Sequence, residues 1–259
     1  MSDLDQAAMW AINRAGWDTV AQRFYGAAAL PNYGPFAQTE DTLGLLGDVH
    51  GKTVLEIGCG SGHSLLYLAQ HGARELWGVD LAPKQIEFAQ ALLQENGFSA
   101  HLFNAPMEQN PGLPTAYFDF AISIYSLGWT TDLAATLALI YAYLKPGGFY
   151  VFSWEHPFYS CLDYQAGAYI VKERYREQTI VEPSWNHVPI VMHQRQMSTF
   201  INTALAVGFQ IERLVEGEAN LARPLDLEPA DDAPDRWYSP ERAKLVPPTF
   251  ILKLRKPAV

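Results

Sequence analysis

Cysteine is scarce. Cys59 and Cys161 are the only two in 259 residues, and neither belongs to a C-x-x-C pair. Two cysteines read as no disulfide framework, so a reduced, cytoplasmic setting is expected. Long apolar runs are missing as well. None approaches the ~18–20 residues that span a bilayer. The opening Met-Ser-Asp-Leu-Asp lacks the basic-then-apolar order of a signal peptide. No membrane partner is expected. Positive charge is in deficit, with 18 Lys and Arg against 28 Asp and Glu and a net charge of −10. Such a surface repels polyanions, which argues against nucleic acid as a partner and suits a cationic ligand. There is no internal repeat and no low-complexity block.

What is present is apolar material. The hydrophobic fraction of 49% against 18% charged residues is enough for a sheet buried on both faces. The length suits one α/β domain, residues 1–259, carrying an inserted cap. Residues 1–50 read as helix and loop, with Leu43, Leu45 and Leu46 in a short helix ending near Gly47. From Lys52 onward strands alternate with helices. Thr53–Ile57, Leu76–Val79, His101–Phe103, Phe118–Ser123 and Phe149–Trp154 read as strands, and helices are expected over Ser64–Gln70, from Pro83 to Gly97 and over Asp132–Leu144. This alternation predicts parallel pairing and right-handed crossovers, hence a doubly wound α/β sheet. The rhythm breaks over residues 157–197, long enough for a cap or lid. A helix over Ser198–Val207 and strands over Phe209–Val215 and Thr249–Leu254 close the pattern, around a proline- and acid-rich stretch from Glu216 to Pro248.

The sharpest motif is Glu56-Ile57-Gly58-Cys59-Gly60-Ser61-Gly62 at a strand-to-helix turn. Glycines let a ligand approach the backbone, and the helix start offers free N–H groups. A dinucleotide site wants G-x-G-x-x-G. Here the third glycine falls on His63 in one frame and on Leu65 in the other, which weakens a nicotinamide-dinucleotide reading. Asp80, at the end of the second strand, suits two ribose hydroxyls in either class of ligand. Cys59 reads as a small filler of the loop, and Asp119 as structural.

Taken together, Val54–Gly62, Gly78-Val79-Asp80, Phe118–Ser123 and Leu144-Lys145-Pro146-Gly147-Gly148 resemble, in order and spacing, the class I S-adenosylmethionine-dependent methyltransferases. The resemblance covers roughly residues 52–152. It implies a mostly parallel seven-stranded Rossmann-like sheet, S-adenosyl-L-methionine as cofactor, and methyl transfer as the reaction. It implies that Glu56 and the backbone around Gly58, Gly60 and Gly62 line the methionine moiety. Asp80 would hold the ribose and Leu81 would flank the adenine. Asn104, or a backbone carbonyl of the Asn104–Met107 stretch that includes Ala105 and Met107, would reach the adenine amine. Ser123 and Ile124 would face the methionine end. Tyr25 and Tyr33 lie in the segment that covers the ligand in many relatives, where they either close the site or pack in the core. Many relatives carry a histidine after the fourth strand, whereas this chain reads Leu127-Gly128-Trp129.

The remaining candidates are residues that could take a proton or orient an acceptor. Tyr125 follows the fourth strand, and Glu155 and His156 follow the fifth, where open α/β sheets place ligands. His156 is either a general base or a residue that orders the turn before Pro157. Glu155 bonds His156, caps the lid or faces water. Phe158, Tyr159, Tyr164, Tyr169, Tyr175 and Trp185 in the insertion are either walls for a planar acceptor or plain lid packing. His187 and His193 have no compatible acid cluster, and no metal is expected. After the fourth strand, Ser123-Ile124-Tyr125-Ser126 replaces the Asn/Asp/Ser-Pro-Pro-aromatic run of nucleic-acid amino-methyltransferases. A small, aromatic or apolar acceptor is therefore expected. A protein methyltransferase and a catalytically silent cofactor-binding module are the alternatives.

Overall fold

Five strands form on the expected β-rich runs: β1 (Thr53–Ile57), β2 (Glu75–Asp80), β3 (His101–Asn104), β4 (Phe118–Ser123) and β5 (Leu144–Glu155). The computed structural model describes residues 4–177, 180–181, 184–185, 187–217, 220–221 and 233–258. Helices α1 (Gln6–Val20) and α2 (Glu40–Leu43) precede β1. Then α3 (His63–Gln70), α4 (Pro83–Glu95) and α5 (Leu133–Tyr143) connect the strands. Their starts follow from local chemistry. Asp5 and Asp132 cap α1 and α5 by accepting the N–H groups of Ala8 and Ala135, and Pro83 opens α4 where its missing N–H costs nothing. After β5 come a hairpin of β6 (Leu162–Gln165) and β7 (Ala168–Val171), two short pairings among residues 180–193, then α6 (Met197–Val207), β8 (Gln210–Val215), α7 (Pro240–Leu245) and β9 (Thr249–Arg255).

The seven long strands form one sheet in the order β8-β9-β5-β4-β1-β2-β3. Strands β1 to β5 are parallel, β9 is antiparallel to β5, and β8 is antiparallel to β9. The sheet is the expected doubly wound, mostly parallel one. Side chains alternate across it. Val54, Ile122, Val151 and Ile251 face the α3 and α4 side with Leu65, Leu68 and Leu93. Leu55, Ile57, Phe152 and Leu252 face the other side with Leu137 and Ile140 of α5 and Phe200 of α6. Each fully buried leucine or isoleucine contributes about 1.5–3 kcal/mol against leaving it in water. The chain winds one way from β1 to β3 and the other way from β4 onward. The C-terminal ends of β1 and β4 therefore flank a switch point, where such sheets open a crevice.

The short helix expected to run to Gly47 stops at Leu43. Gly44 takes φ +57° and ends it. The buried Glu40 carboxylate accepts the N–H groups of Leu45 and Leu46, which holds that stretch outside the helix. Of the expected cap over residues 157–197, residues 178–179, 182–183 and 186 lie outside the described residues, as do 218–219 and 222–232 of the acid-rich stretch.

Candidate active site

One cavity of about 860 Å³ opens at the ends of β1, β2, β4 and β5. Its floor is the glycine loop. Gly58, Gly60 and Gly62 all take positive φ, of 71°, 50° and 81°, and Gly58 and Gly60 line the cavity. Gly62 does not. A Cβ there would lie 2.8 Å from the Cβ of Ala89, so Gly62 lets α3 and α4 approach. The close-packing glycine that seemed missing from the motif is thus present one residue early, and Gly62 is corrected from lining to packing. Cys59 is buried, its thiol pushed up by burial, and its Sγ fills space beside Gly78.

Among the described residues, two acceptors in the cavity wall are buried without a partner: Glu56 Oε2 and Gln85 Oε1. Burial holds the Glu56 carboxyl well above the usual carboxylate range. Asp80 accepts the Gly60 N–H through Oδ2 and the Ala82 N–H through Oδ1, both at 2.9 Å. Burial raises its pKa to about 6 against the pull of those bonds. Leu81, Ala105, Met107 and Ile124 also line the cavity.

Three expected lining residues sit elsewhere. Asn104 turns back and donates its amide to the carbonyls of Asp80 and Leu81, 3.0 and 2.8 Å away, so it fixes the loop after β2. Ser123 is fully buried and donates to the Ile57 carbonyl at 2.9 Å. The residue that reaches the wall with the same bond is Ser126. Tyr33 is fully buried in the core and donates to Glu40 Oε2 at 2.6 Å. Tyr25 stacks edge-on with His63 and Phe88 and stays outside the wall. Asp119 accepts from the Thr53 N–H and from Lys145, an anchor between β1, β4 and β5.

His156 is likewise corrected. It does not line the cavity. Its Nδ1 accepts the Phe158 N–H at 3.2 Å, and its Nε2 lies 2.8 Å from Glu216 Oε1. Both ring nitrogens are engaged in ordering the turn, which leaves none for a substrate proton. Glu155 and Tyr125 do line the cavity. Glu155 Oε2 accepts from the Trp237 indole at 2.8 Å and from the Tyr238 hydroxyl at 3.3 Å. Burial pushes its pKa up to about 7. The Tyr125 hydroxyl lies 2.9 Å from that of Tyr238.

The aromatic wall exists, but Phe158, Tyr159, Tyr164, Tyr169 and Tyr175 of the insertion do not line it, and the side chain of Trp185 lies outside the described residues. Tyr159 and Tyr169 spend their hydroxyls on the carbonyls of Trp237 and Pro234, and Tyr175 accepts the Met197 N–H. These residues pack the insertion onto its neighbours. The rings on the cavity are Trp10, Trp17 and Phe24 from α1 and its exit, Phe36, Tyr125, Trp129 and Trp154, and Trp237 and Tyr238 from the segment before α7. The N-terminal segment is stitched over the site. Ser61 and Ser64 accept the N–H groups of Gly26 and Leu30. Asn13 of α1 exchanges two bonds with the backbone of Val191, beside the Ile190 and Met192 that also line the cavity.

Residues 54–148 match a family model described as a methyltransferase domain. A protein of Haemophilus influenzae, uncharacterised in function, is 32% identical over 187 residues, which cover 67% of this chain and 73% of that protein. The chain belongs to the class I S-adenosylmethionine-dependent methyltransferases. The malonyl-[acyl-carrier protein] O-methyltransferase of Serratia marcescens is 32% identical over 114 residues, 44% of this chain and 42% of that enzyme. The alignment therefore spans under half of that named relative. The solved S-adenosylmethionine-dependent methyltransferase of Mesorhizobium loti superimposes with a TM-score of 0.67 at 27% identity, covering 83% of this chain and 95% of that one. This methyltransferase is thus an enzyme whose cofactor is S-adenosylmethionine. Among its described residues no helix is long and apolar enough to cross a membrane.

The sequence pointed to Tyr125 and Glu155 but not to Ser126, Gln85, Trp237 or Tyr238. A Trp-Tyr pair in an otherwise polar, proline-rich stretch was the available signal for the last two.

Proposed function

We propose that the enzyme methylates a small, planar or apolar acceptor held in the same cavity as the cofactor. The observation that carries this reading is the division of the cavity. One end holds bare glycine backbone, the Asp80 carboxylate and the two unpartnered acceptors Glu56 Oε2 and Gln85 Oε1. The other end is aromatic and is covered by α1, the 188–194 segment and the Trp237–Tyr238 pair. The first end fits S-adenosylmethionine. Glu56 and Gln85 would receive its ammonium, and Asp80 its ribose hydroxyls. Leu81, Ala105 and Met107 would flank the adenine, and Gly58, Gly60 and Ile124 the methionine chain. The bound cofactor supplies a methyl group already activated on a sulfonium.

The chain's own work is to seat the acceptor in line, exclude water and manage its proton. A volume of about 860 Å³ lies within the ~300–1,000 Å³ range of small-molecule sites. An aromatic-lined pocket suits a planar molecule, and the net charge of −10 disfavours nucleic acid.

The test is methyl transfer from labelled S-adenosylmethionine into a cell extract separated into small-molecule, protein and nucleic-acid fractions. Label in the small-molecule fraction is the expected result. Label in protein alone would make this a protein methyltransferase. Cofactor binding with no label anywhere would mark a silent binding module.

A further inference from the structure

Among the polar side chains in the aromatic part of the wall, three form a connected row. Tyr125 comes from the loop after β4, Glu155 from the end of β5, and Tyr238 from the segment before α7. All three line the cavity. The two hydroxyls are 2.9 Å apart, and Tyr238 donates to Glu155 Oε2 at 3.3 Å. That second distance is long for two oxygens, as catalytic contacts often are before ligands bind. A phenol has one proton to donate. Tyr238 gives its proton to Glu155, so at the other contact Tyr125 is the donor and Tyr238 the acceptor. Tyr125 then keeps a lone pair for a donor in the cavity. The row points one way, from cavity to carboxylate.

We propose that Tyr125, Tyr238 and Glu155 form a directed proton path, and that the methyl acceptor is a planar molecule bearing an acidic hydroxyl, a phenol or an enol. This rests on the small-molecule reading above. A neutral amine attacks with its own lone pair and needs no proton removed first. A site for an ammonium would set a bare carboxylate against the ligand. Here the Glu155 carboxylate on the wall is engaged by the Trp237 indole and the Tyr238 hydroxyl, and Tyr125 offers an acceptor lone pair.

The ends of the path match that task. Among the described residues, the titratable and charged groups facing the Glu155 carboxyl are Tyr125, Tyr238, Tyr159 and Arg242, beside the Trp237 indole. The neighbouring His156 is turned away to Glu216. Burial outweighs Arg242 and brings Glu155 to about 7, a basicity suited to an acidic hydroxyl and out of reach for an aliphatic alcohol. Burial raises both phenols well above their ordinary value, so each stays protonated and can relay.

In the step itself the acceptor oxygen bonds the methyl carbon. The methyl–sulfur bond breaks, and its electron pair stays on sulfur. The hydroxyl proton moves to Tyr125 as Tyr125 passes its own to Tyr238 and Tyr238 its own to Glu155. The positive charge on sulfur and the negative charge on Glu155 disappear together.

The test starts from the labelled product of the extract assay. Hydriodic acid should release the label as methyl iodide, as it does from an aryl or enol ether. With the isolated acceptor fraction, the wild-type rate should rise with pH through about 7, the value of Glu155. Tyr238→Phe and Tyr125→Phe should each lower kcat by about 10²-fold, with the apparent KM unchanged. Glu155→Gln should do the same and abolish the pH limb. S-adenosylhomocysteine binding checks that each variant is folded, and either tyrosine variant suffices if Glu155→Gln is not. A methyl group that resists hydriodic acid overturns the acceptor class. Folded tyrosine variants within threefold of wild type, or a limb that survives Glu155→Gln, overturn the path. Label in macromolecules alone, or no label, sinks the small-molecule reading and this proposal with it.

Discussion

Gly58 leaves room for Ser126: a Cβ on Gly58 would sit 2.5 Å from the Ser126 Cβ. Gly58 also holds φ +71°, a region L side chains rarely adopt. The two facts join the glycine loop to the loop after β4, because Ser126 in turn donates to the Ile57 carbonyl at 2.8 Å.

Gly58→Ala should therefore cost about 2–3 kcal/mol of stability, through strain and overpacking together. Adding Ser126→Gly removes the clash but not the strained φ. The double variant should recover about 1 kcal/mol, a coupling that thermal melts of the four proteins would show. Strict additivity would mean that the two loops do not press on each other.

Asp80 should make cofactor affinity depend on pH. Its carboxyl, raised by burial to about 6, accepts ribose hydroxyls most strongly when ionised. Hydroxyl donors favour the ionised form, so binding releases a proton and affinity rises with pH until it levels off above about 6. Asp80's own contribution to folding has the opposite sign. A raised acid pKa favours the fold below the unfolded value of ~3.9, and that gain is lost as pH rises through about 6. Calorimetry of S-adenosylhomocysteine from pH 5 to pH 8 checks the first statement. Asp80→Asn should bind about 1–3 kcal/mol more weakly at pH 8 and lose the limb. A limb that persists in Asp80→Asn would place the titrating group elsewhere.

His156→Ala should lose stability and keep its chemistry. The ring accepts the Phe158 N–H and meets Glu216, outside the cavity wall. Truncation leaves that N–H without its partner, at about 1–2 kcal/mol. Melting temperature should drop, while turnover and its pH profile stay at wild-type values. A large loss of turnover in a folded variant would restore the histidine as a proton acceptor.

The outcome at His156 shows where sequence reading reaches its limit. The sheet was legible because its signals are local. Apolar runs, glycine stops and the Glu56–Gly62 turn each act within a few residues, and their order fixes the winding. The glycine-loop end of the cavity was legible for the same reason, since its floor is one turn followed by Asp80. The aromatic end was not. Its chemistry comes from pairs far apart in the chain: Glu155 with Trp237 and Tyr238, Asn13 with Val191, Ser126 with Ile57. A histidine beside a strand end looks reactive until Glu216, sixty residues on, takes its free nitrogen. Ser123 and Ser126 differ by three residues and make the same bond, but only the second meets the cavity. Strand alternation gave no way to choose between them, because β4 ends at Ser123.

Arg242 holds the segment that completes the site. It is buried, and its guanidinium lies 4.5 Å from the Tyr159 ring and 4.6 Å from the Trp237 ring. It donates to the carbonyls of Tyr159 and Leu162. Cation–π attraction and charged hydrogen bonds together are worth about 2–4 kcal/mol here, and they tie the Trp237–Tyr238 pair to the segment after β5. Arg242→Met keeps most of the volume and removes both. Residues 233–246 should then open more often, and limited proteolysis mapped by mass spectrometry should show cleavage there rising by roughly 30-fold or more. S-adenosylhomocysteine should bind as before, because the glycine loop and Asp80 make no contact with this segment in the hydrogen-bond network described. Turnover should fall as Tyr238 leaves Glu155. The activity that remains, from molecules with the segment closed, should titrate at higher pH, since burial raises the Glu155 carboxyl against the Trp237 and Tyr238 bonds and the Arg242 charge, and the last of these is gone. A variant that is cut no faster but still titrates higher would show that Arg242 acts on Glu155 by charge alone.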